Sequence, residues 1–158
     1  MLPVLAAGII GVTAANPAMA AQQSIPPNSF SYYNEGNPSN CLDADISNIN
    51  SNGDPVRLEP CTGGANQKWY RSLQYPGEVV NAMSGLCLEA NNNDIHANGD
   101  VVWEWACWDG ANQLWTGGSY IGEIVNEASG LCLDANNNEI HTNGDPVQEW
   151  SCWDGANQ

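Results

Sequence analysis

The sequence predicts an all-β fold in which three four-stranded units close into one barrel with threefold pseudosymmetry. Three observations carry this prediction. A block recurs three times along the chain, each block holds two cysteines at one spacing, and turn signals rather than helical periodicity separate the apolar runs. Cys41-Leu42-Asp43-Ala44, Cys87-Leu88-Glu89-Ala90 and Cys132-Leu133-Asp134-Ala135 recur at steps of 46 and 45. The second cysteines, Cys61, Cys107 and Cys152, keep those steps, as do Asn66-Gln67, Asn112-Gln113 and Asn157-Gln158.

The elements follow in order. Residues 1–20, MLPVLAAGIIGVTAANPAMA, carry no charged side chain and end in the small-x-small triplet Ala18-Met19-Ala20. This pattern predicts a secretory signal peptide, too short and too Pro-interrupted to anchor in a membrane. Residues 21–29 read as a polar, Pro-containing lead-in. The three units then span approximately 30–76, 77–121 and 122–158. Each holds Asn-Gly-Asp (52–54, 98–100, 143–145), a short-hairpin signal because these residues tolerate positive φ. A second turn is expected after each second cysteine, at Gly63-Gly64, Asp109-Gly110 and Asp154-Gly155. Trp108-Asp109 and Trp153-Asp154 superficially suggest propeller blades, but three copies are too few for a propeller.

Composition narrows the function. Three Lys and Arg against 18 Asp and Glu give a net charge of -15 over 158 residues. Such a surface opposes nucleic acid and anionic membranes, which need basic patches. Only 13% of residues are charged, and 42% are hydrophobic, so a core can form. Seven Trp and five Tyr outnumber the single Phe, and these amphipathic rings serve binding sites as well as cores. Six cysteines in a small chain point to an oxidising compartment, hence to a secreted, extracellular protein. Pairing within units, Cys41–Cys61, Cys87–Cys107 and Cys132–Cys152, is the connectivity that respects the repeat; each bridge contributes roughly 3 kcal/mol. No Cys-x-x-Cys or His-x-x-x-His pair offers a zinc site, and no metal or cofactor is expected.

The endings Gln67-x-Trp69 and Gln113-x-Trp115, in register with the cysteine and Asn-Gln pairs, resemble the ricin B-type lectin family. Over residues 30–158 that resemblance implies a β-trefoil of three Q-x-W repeats that binds galactosides or related sugars. Trp69 and Trp115 are then core residues. The third copy reaches Gln158 without its x-Trp, so a last strand, closing the barrel against Ser31–Asn34, is expected to be missing. The chain is accordingly expected to be a fragment of a longer protein.

The resemblance also implies a sugar site in each copy. A carboxylate two residues after the first Cys accepts hydroxyl hydrogen bonds, and an aromatic two before the second Cys covers the apolar face of a pyranose. The Asn of Asn-Gln contacts sugar, and the Gln steadies the carboxylate. The third copy supplies Asp134, Trp150, Asn157 and Gln158, with Gln148 on the same strand face. The second supplies Glu89, Trp105, Asn112 and Gln113, with Trp103 in place of Gln148. The first has Asp43, Asn66 and Gln67, but Glu59 replaces the platform and Arg57 replaces Gln148. That site is expected to be inactive or shut by an Arg57–Glu59 contact. The same acids and Asn-Gln pairs could instead serve only as turn locks.

Glu104 and Glu149 occupy the inward position held by Leu58 in the first copy. Burying an unpaired carboxylate costs several kcal/mol, so a local strand twist is expected, with Trp108 and Trp153 filling the gap. His96 and His141 read as exposed loop imidazoles. Asp94, Asn98 and Asp100 are oxygen-rich but lack EF-hand spacing. No Gly-x-Ser-x-Gly, phosphate loop or His-Glu-x-x-His is present, so no enzyme is expected within the chain. A protruding inhibitor loop is also lacking. The sequence thus reads as a secreted lectin for a neutral sugar, or as the non-catalytic targeting module of a longer glycoside hydrolase or toxin.

Overall fold

The computed structural model describes residues 24–91, 97–136 and 142–158. Those residues contain eleven strands and no α-helix. The first unit holds β1 (Tyr33–Asn34), β2 (Asn37–Ala44), β3 (Asp54–Pro60) and β4 (Trp69–Arg71). The second holds β5 (Val79–Asn81), β6 (Cys87–Ala90), β7 (Asp100–Trp105) and β8 (Trp115–Gly117). The third holds β9 (Ile124–Asn126), β10 (Cys132–Ala135) and β11 (Asp145–Trp150). The proposed signal peptide, residues 1–20, lies outside the described residues, as do Asp94, His96 and His141.

Period-2 alternation builds each central hairpin. In β7, Asp100, Val102 and Glu104 are buried while the residues between them are not. The hairpins β2–β3, β6–β7 and β10–β11 are antiparallel, and their second strands meet around the pseudo-threefold axis, β3 on β7, β7 on β11 and β11 on β3. Three equivalent junctions result: Asp54 faces Glu104, Asp100 faces Glu149 and Asp145 faces Leu58.

The Asn-Gly-Asp segments are not the two-residue hairpin turns their sequence suggests. In the first unit, residues 45–53 connect β2 to β3, and Asn-Gly-Asp forms the end of that connection. Its glycine has the expected positive φ, 84° at Gly53, but the N–H donates to the next unit, at Glu104 O, over 2.8 Å. Gly99 does the same to Glu149 O, and Gly144 to Leu58 O. The turn residues therefore tie units together rather than closing one hairpin.

Trp69 and Trp115 are fully buried, and their Nε1 atoms donate to Leu42 O and Leu88 O at 3.0 and 2.9 Å. An indole of this size removes 150–250 Å² from water, roughly 4–6 kcal/mol before entropic costs. Leu42, Leu58, Leu88, Val102, Leu133 and Val147 complete the centre of the core. Around the third equivalent position, Tyr32, Leu42, Leu58, Leu133 and Val147 line a cavity edged by Asn157 and Gln158. All three intra-unit disulfides form as the repeat predicts, Cys41–Cys61, Cys87–Cys107 and Cys132–Cys152, and no described cysteine is free. No described helix is long and apolar enough to cross a membrane.

Two expectations about the interior are corrected. Glu104 and Glu149 do point inward, but no twist carries them out: both are 0% exposed. One oxygen of each carboxyl accepts a hydrogen bond, and the other is buried without one. Ser84 Oγ donates to Glu104 at 2.7 Å and Ser129 Oγ to Glu149 at 2.6 Å. Trp108 and Trp153 do not fill a core gap. Both are 54% exposed, because the left-handed φ of Asp109 and Asp154 (59° and 60°) turns the chain outward there.

Candidate carbohydrate-binding site

Hairpin register assembles the site residues. Asp134 faces Gln148 and Cys132 faces Trp150 across β10–β11. Glu89 faces Trp103 and Cys87 faces Trp105 across β6–β7. Asp43 faces Arg57 and Cys41 faces Glu59 across β2–β3. Because alternate residues share a face, each carboxylate lies beside its neighbour two places along on the partner strand. The loop after each second cysteine then folds back and delivers the Asn-Gln pair.

In the third unit Asp134 is 3% exposed and Trp150 is 40% exposed. Gln148 Nε2 donates to Asp134 Oδ1 at 3.1 Å. Asn157 Nδ2 and Gln158 Nε2 both donate to Oδ2, at 2.6 and 3.1 Å. Burial raises the Asp134 pKa above the ordinary carboxylate value; hydrogen bonds from Gln148, Gln158, Asn157 and Trp153 oppose that rise. Asn157 is 4% exposed and also donates to Ala135 O at 2.9 Å, so it sits behind the carboxylate as a lock. Gln158 steadies Asp134 from one end, and its Oε1 accepts from Trp153 N at 2.9 Å.

The second unit surrounds its acid differently. Glu89 is 4% exposed. Gln113 Nε2 donates to its Oε2 at 2.6 Å, Trp108 Nε1 to the same oxygen at 3.1 Å, and Trp103 Nε1 to Oε1 at 3.2 Å. Trp103 therefore caps the acid where Gln148 leaves a more adaptable amide in the third unit. Its ring packs on Trp105 with centroids 5.8 Å apart. Asn112 is 2% exposed and donates to Ala90 O.

The first unit keeps the lock without the platform. Asn66 and Gln67 donate to Asp43 Oδ2 at 2.9 and 2.7 Å. Burial raises the Asp43 pKa, opposed by the Gln67 hydrogen bond and reinforced by the charge of Glu59. The expected Arg57–Glu59 contact does not form. Arg57 Nη1 instead lies 3.6 Å from Asp45 Oδ2, a carboxylate on the loop after β2 that competes for the same cation. An open cleft lined by Asp43, Asp45, Arg57, Glu59 and Asn66 remains.

The platforms are supported from neighbouring units, which sequence reasoning missed. Asn98 Oδ1 accepts from Ser151 N at 2.8 Å, and Asn52 Oδ1 accepts from Ala106 N at 2.8 Å. Asn98 is thus committed to a latch rather than to an oxygen-rich cation loop. Gly99 and Gly53 lie under Trp150 and Trp105, with ring atoms 3.7 Å from where a Cβ would stand. The near-identical spacing of Asn-Gly-Asp was the available signal, but only the three-unit packing shows that each turn serves the next platform. Two clusters of a glutamate with two sulfurs, around Glu78 and Glu123, use cysteines already tied in disulfides and so offer no thiolate to a metal.

Comparison with known proteins gives one family. The model described as ricin-type beta-trefoil lectin domain matches residues 29–158. No curated protein matches the chain. Among solved structures, the designed threefold-symmetric protein ThreeFoil is similar at 26% identity and a TM-score of 0.73, over 83% of this chain and 94% of that one. The C-half of an earthworm R-type lectin, solved with GalNAc, is similar at 18% identity and a TM-score of 0.66, over 84% and 95%. A ricin B-like lectin of Macrolepiota procera, solved with lactose, is similar at 19% identity and a TM-score of 0.67, over 82% and 90%.

Proposed function

The chain belongs to the ricin-type β-trefoil lectin domain family, and from that premise we propose that it is a secreted lectin for a neutral, galactose-type sugar or polysaccharide unit. Its third unit is the principal site and its second a weaker one. No catalytic domain is identified in the chain. The observation that carries the reading is the pairing of Asp134 with the half-exposed Trp150 on one hairpin face, with Gln148 between them. One such group accepts hydrogen bonds from hydroxyls, and the other covers the C–H patch of the ring.

Galactose-type recognition is favoured because the earthworm and Macrolepiota lectins were solved with GalNAc and lactose. Net charge of -15 favours a neutral ligand over a sulfated or uronic one. Three disulfides fit an oxidising, extracellular setting. We read residues 1–20 as the signal peptide and residues 30–158 as the lectin domain. A glycan array carrying neutral and acidic sugars tests the proposal: a hit confined to neutral, galactose-containing glycans is expected, and absence of all glycan binding would overturn it.

Sugar affinity should depend on pH through Asp134. The ionised carboxylate is the stronger acceptor, and burial raises its pKa. Affinity at the third unit is therefore expected to decline on acidification at a pH above the ordinary aspartate range. Calorimetric titrations across an acidic pH series check this; a flat affinity profile would remove Asp134 from the binding role.

A further inference from the structure

Trp108 and Trp153 stand beside the site carboxylates, and the fold constrains them heavily. Each is 54% exposed, although an indole gains most by burial. Each main-chain N–H is held by the Gln of the Asn-Gln pair, Trp108 N to Gln113 Oε1 and Trp153 N to Gln158 Oε1, both at 2.9 Å. The following Asp adopts a left-handed φ that only a few per cent of non-glycine residues show. The next residue is glycine, and the indole lies over it so closely that a Cβ on Gly110 or Gly155 would collide with the ring. Trp108 Nε1 is further anchored to Glu89 Oε2 at 3.1 Å. An exposed aromatic is thus fixed in one orientation beside the site carboxylate.

The internal repeat supplies a comparison. The first unit has Thr62-Gly63-Gly64 where the others have Trp-Asp-Gly. It also has Glu59 where they have the platforms Trp105 and Trp150. The two aromatics occur together in the second and third units and are both absent from the first. In the second unit the carboxylate sits between them. Trp103, packed against Trp105, reaches Oε1 from the strand, and Trp108 reaches Oε2 from the loop.

We propose that Trp108 and Trp153 are second stacking faces, so that the second and third units each recognise two linked neutral sugar rings rather than one. One ring lies on Trp105 or Trp150 with its hydroxyls toward the carboxylate. The next ring lies against the loop indole on the carboxylate's other side. The inference rests on the carbohydrate reading of the platforms.

The test uses the whole chain with intact disulfides. An array of neutral mono- and disaccharides of galactose, glucose, mannose and xylose selects the best disaccharide, which is titrated calorimetrically beside its component monosaccharide. The disaccharide is expected to bind about tenfold tighter, the gain of roughly 1.4 kcal/mol expected from one more aromatic face. Trp108→Ala with Trp153→Ala should bring the ratio of disaccharide to monosaccharide affinity down to about one, whatever the change in monosaccharide affinity itself. Trp108→Phe with Trp153→Phe keeps the face, loses the Nε1–H, and should preserve the advantage. In the unsubstituted protein, the indole N–H resonances of Trp108 and Trp153 should shift with the disaccharide and not with the monosaccharide, a readout independent of how the variants fold. No disaccharide advantage, or one that survives the Ala pair, overturns the proposal while the lectin reading stands. Phe variants as impaired as the Ala variants also overturn it, by assigning the indoles to holding the carboxylate. If no sugar binds the unsubstituted protein, the carbohydrate reading fails and takes this proposal with it.

Discussion

Trp150→Ala is expected to abolish detectable sugar binding at the third unit while leaving the fold intact. The side chain is 40% exposed, so its removal opens no core cavity. Its ring rests on Gly99 of the preceding unit, and β11 remains latched there through Asn98. A shallow site with millimolar affinity has only about 4 kcal/mol of binding free energy. Losing the stacking face removes on the order of 1 kcal/mol or more and the shape that aligns the hydroxyls, which puts binding below calorimetric detection. Asp134→Ala should be equally silent, but less cleanly, because it also frees the amides of Gln148, Asn157 and Gln158. Trp105→Ala should have a smaller effect, since Glu89 is one methylene longer than Asp134 and Trp103 caps its Oε1. Asp43→Ala should leave binding unchanged, since Glu59 offers no platform. Titration against the array-selected sugar decides the matter. Unchanged affinity in both Trp150→Ala and Asp134→Ala would place the sugar elsewhere on the molecule.

Stability is expected to be greatest in mild acid and to fall as pH rises through 7 to 8. Burial pushes the Glu104 pKa up to about 8 and that of Glu149 to about 7. Ser84 and Ser129 oppose the rise by hydrogen bonding. Asp54 and Asp43 add to it at Glu104, and Asp100 adds to it at Glu149. Asp54 is itself raised to about 6, chiefly by burial and next by Asp45, with Arg57 opposing. Asp54 and Glu104 stand opposite each other across the junction of β3 and β7, which is why the charge of Asp54 bears on Glu104. The folded chain therefore binds protons that the unfolded chain has released above the ordinary glutamate pKa. The stabilising contribution is fully present below that ordinary value and is lost as pH passes the folded pKa of each residue. For two groups that are 0% exposed the total is on the order of several kcal/mol. Repulsion within a chain of charge -15 acts in the same direction, so the diagnostic is a comparison. Glu104→Gln with Glu149→Gln keeps the hydrogen-bonding shape without the ionisation, and should melt at a higher temperature than the unsubstituted protein at pH 9 but not at pH 5. Parallel melting curves across that range would show that these carboxyls do not govern the pH response.

The repeat made most of the fold legible. Residues at fixed steps must occupy equivalent environments, so Cys41, Cys87 and Cys132 identified equivalent strands, and the cysteine pairing followed. The resemblance carried by the Gln67-x-Trp69 and Gln113-x-Trp115 endings implied that Trp69 and Trp115 are core residues. The candidate site was legible through the resemblance to the ricin B-type lectins. The family resemblance implied Asp134 and Trp150, and the two-residue offset in a strand put Gln148 on the face of Trp150.

What stayed illegible depends on contacts between units or on backbone turns that spacing does not encode. Glu104 and Glu149 read as misplaced acids because Ser84 and Ser129, their donors, lie twenty residues away on separate turns. Arg57 had two carboxylates within reach in sequence, and only the path of the loop after β2 chose Asp45 over Glu59. Trp108 and Trp153 read as core because an indole is normally buried; the left-handed turn at Asp109 and Asp154 places them outside. Chain-local chemistry, disulfide partners and strand faces follow from residue order, because period and spacing act over a few bonds. Proton placement, ion pairing and the support of each platform by the preceding unit follow only from closure of the barrel, because their partners become neighbours when three hairpins meet on one axis.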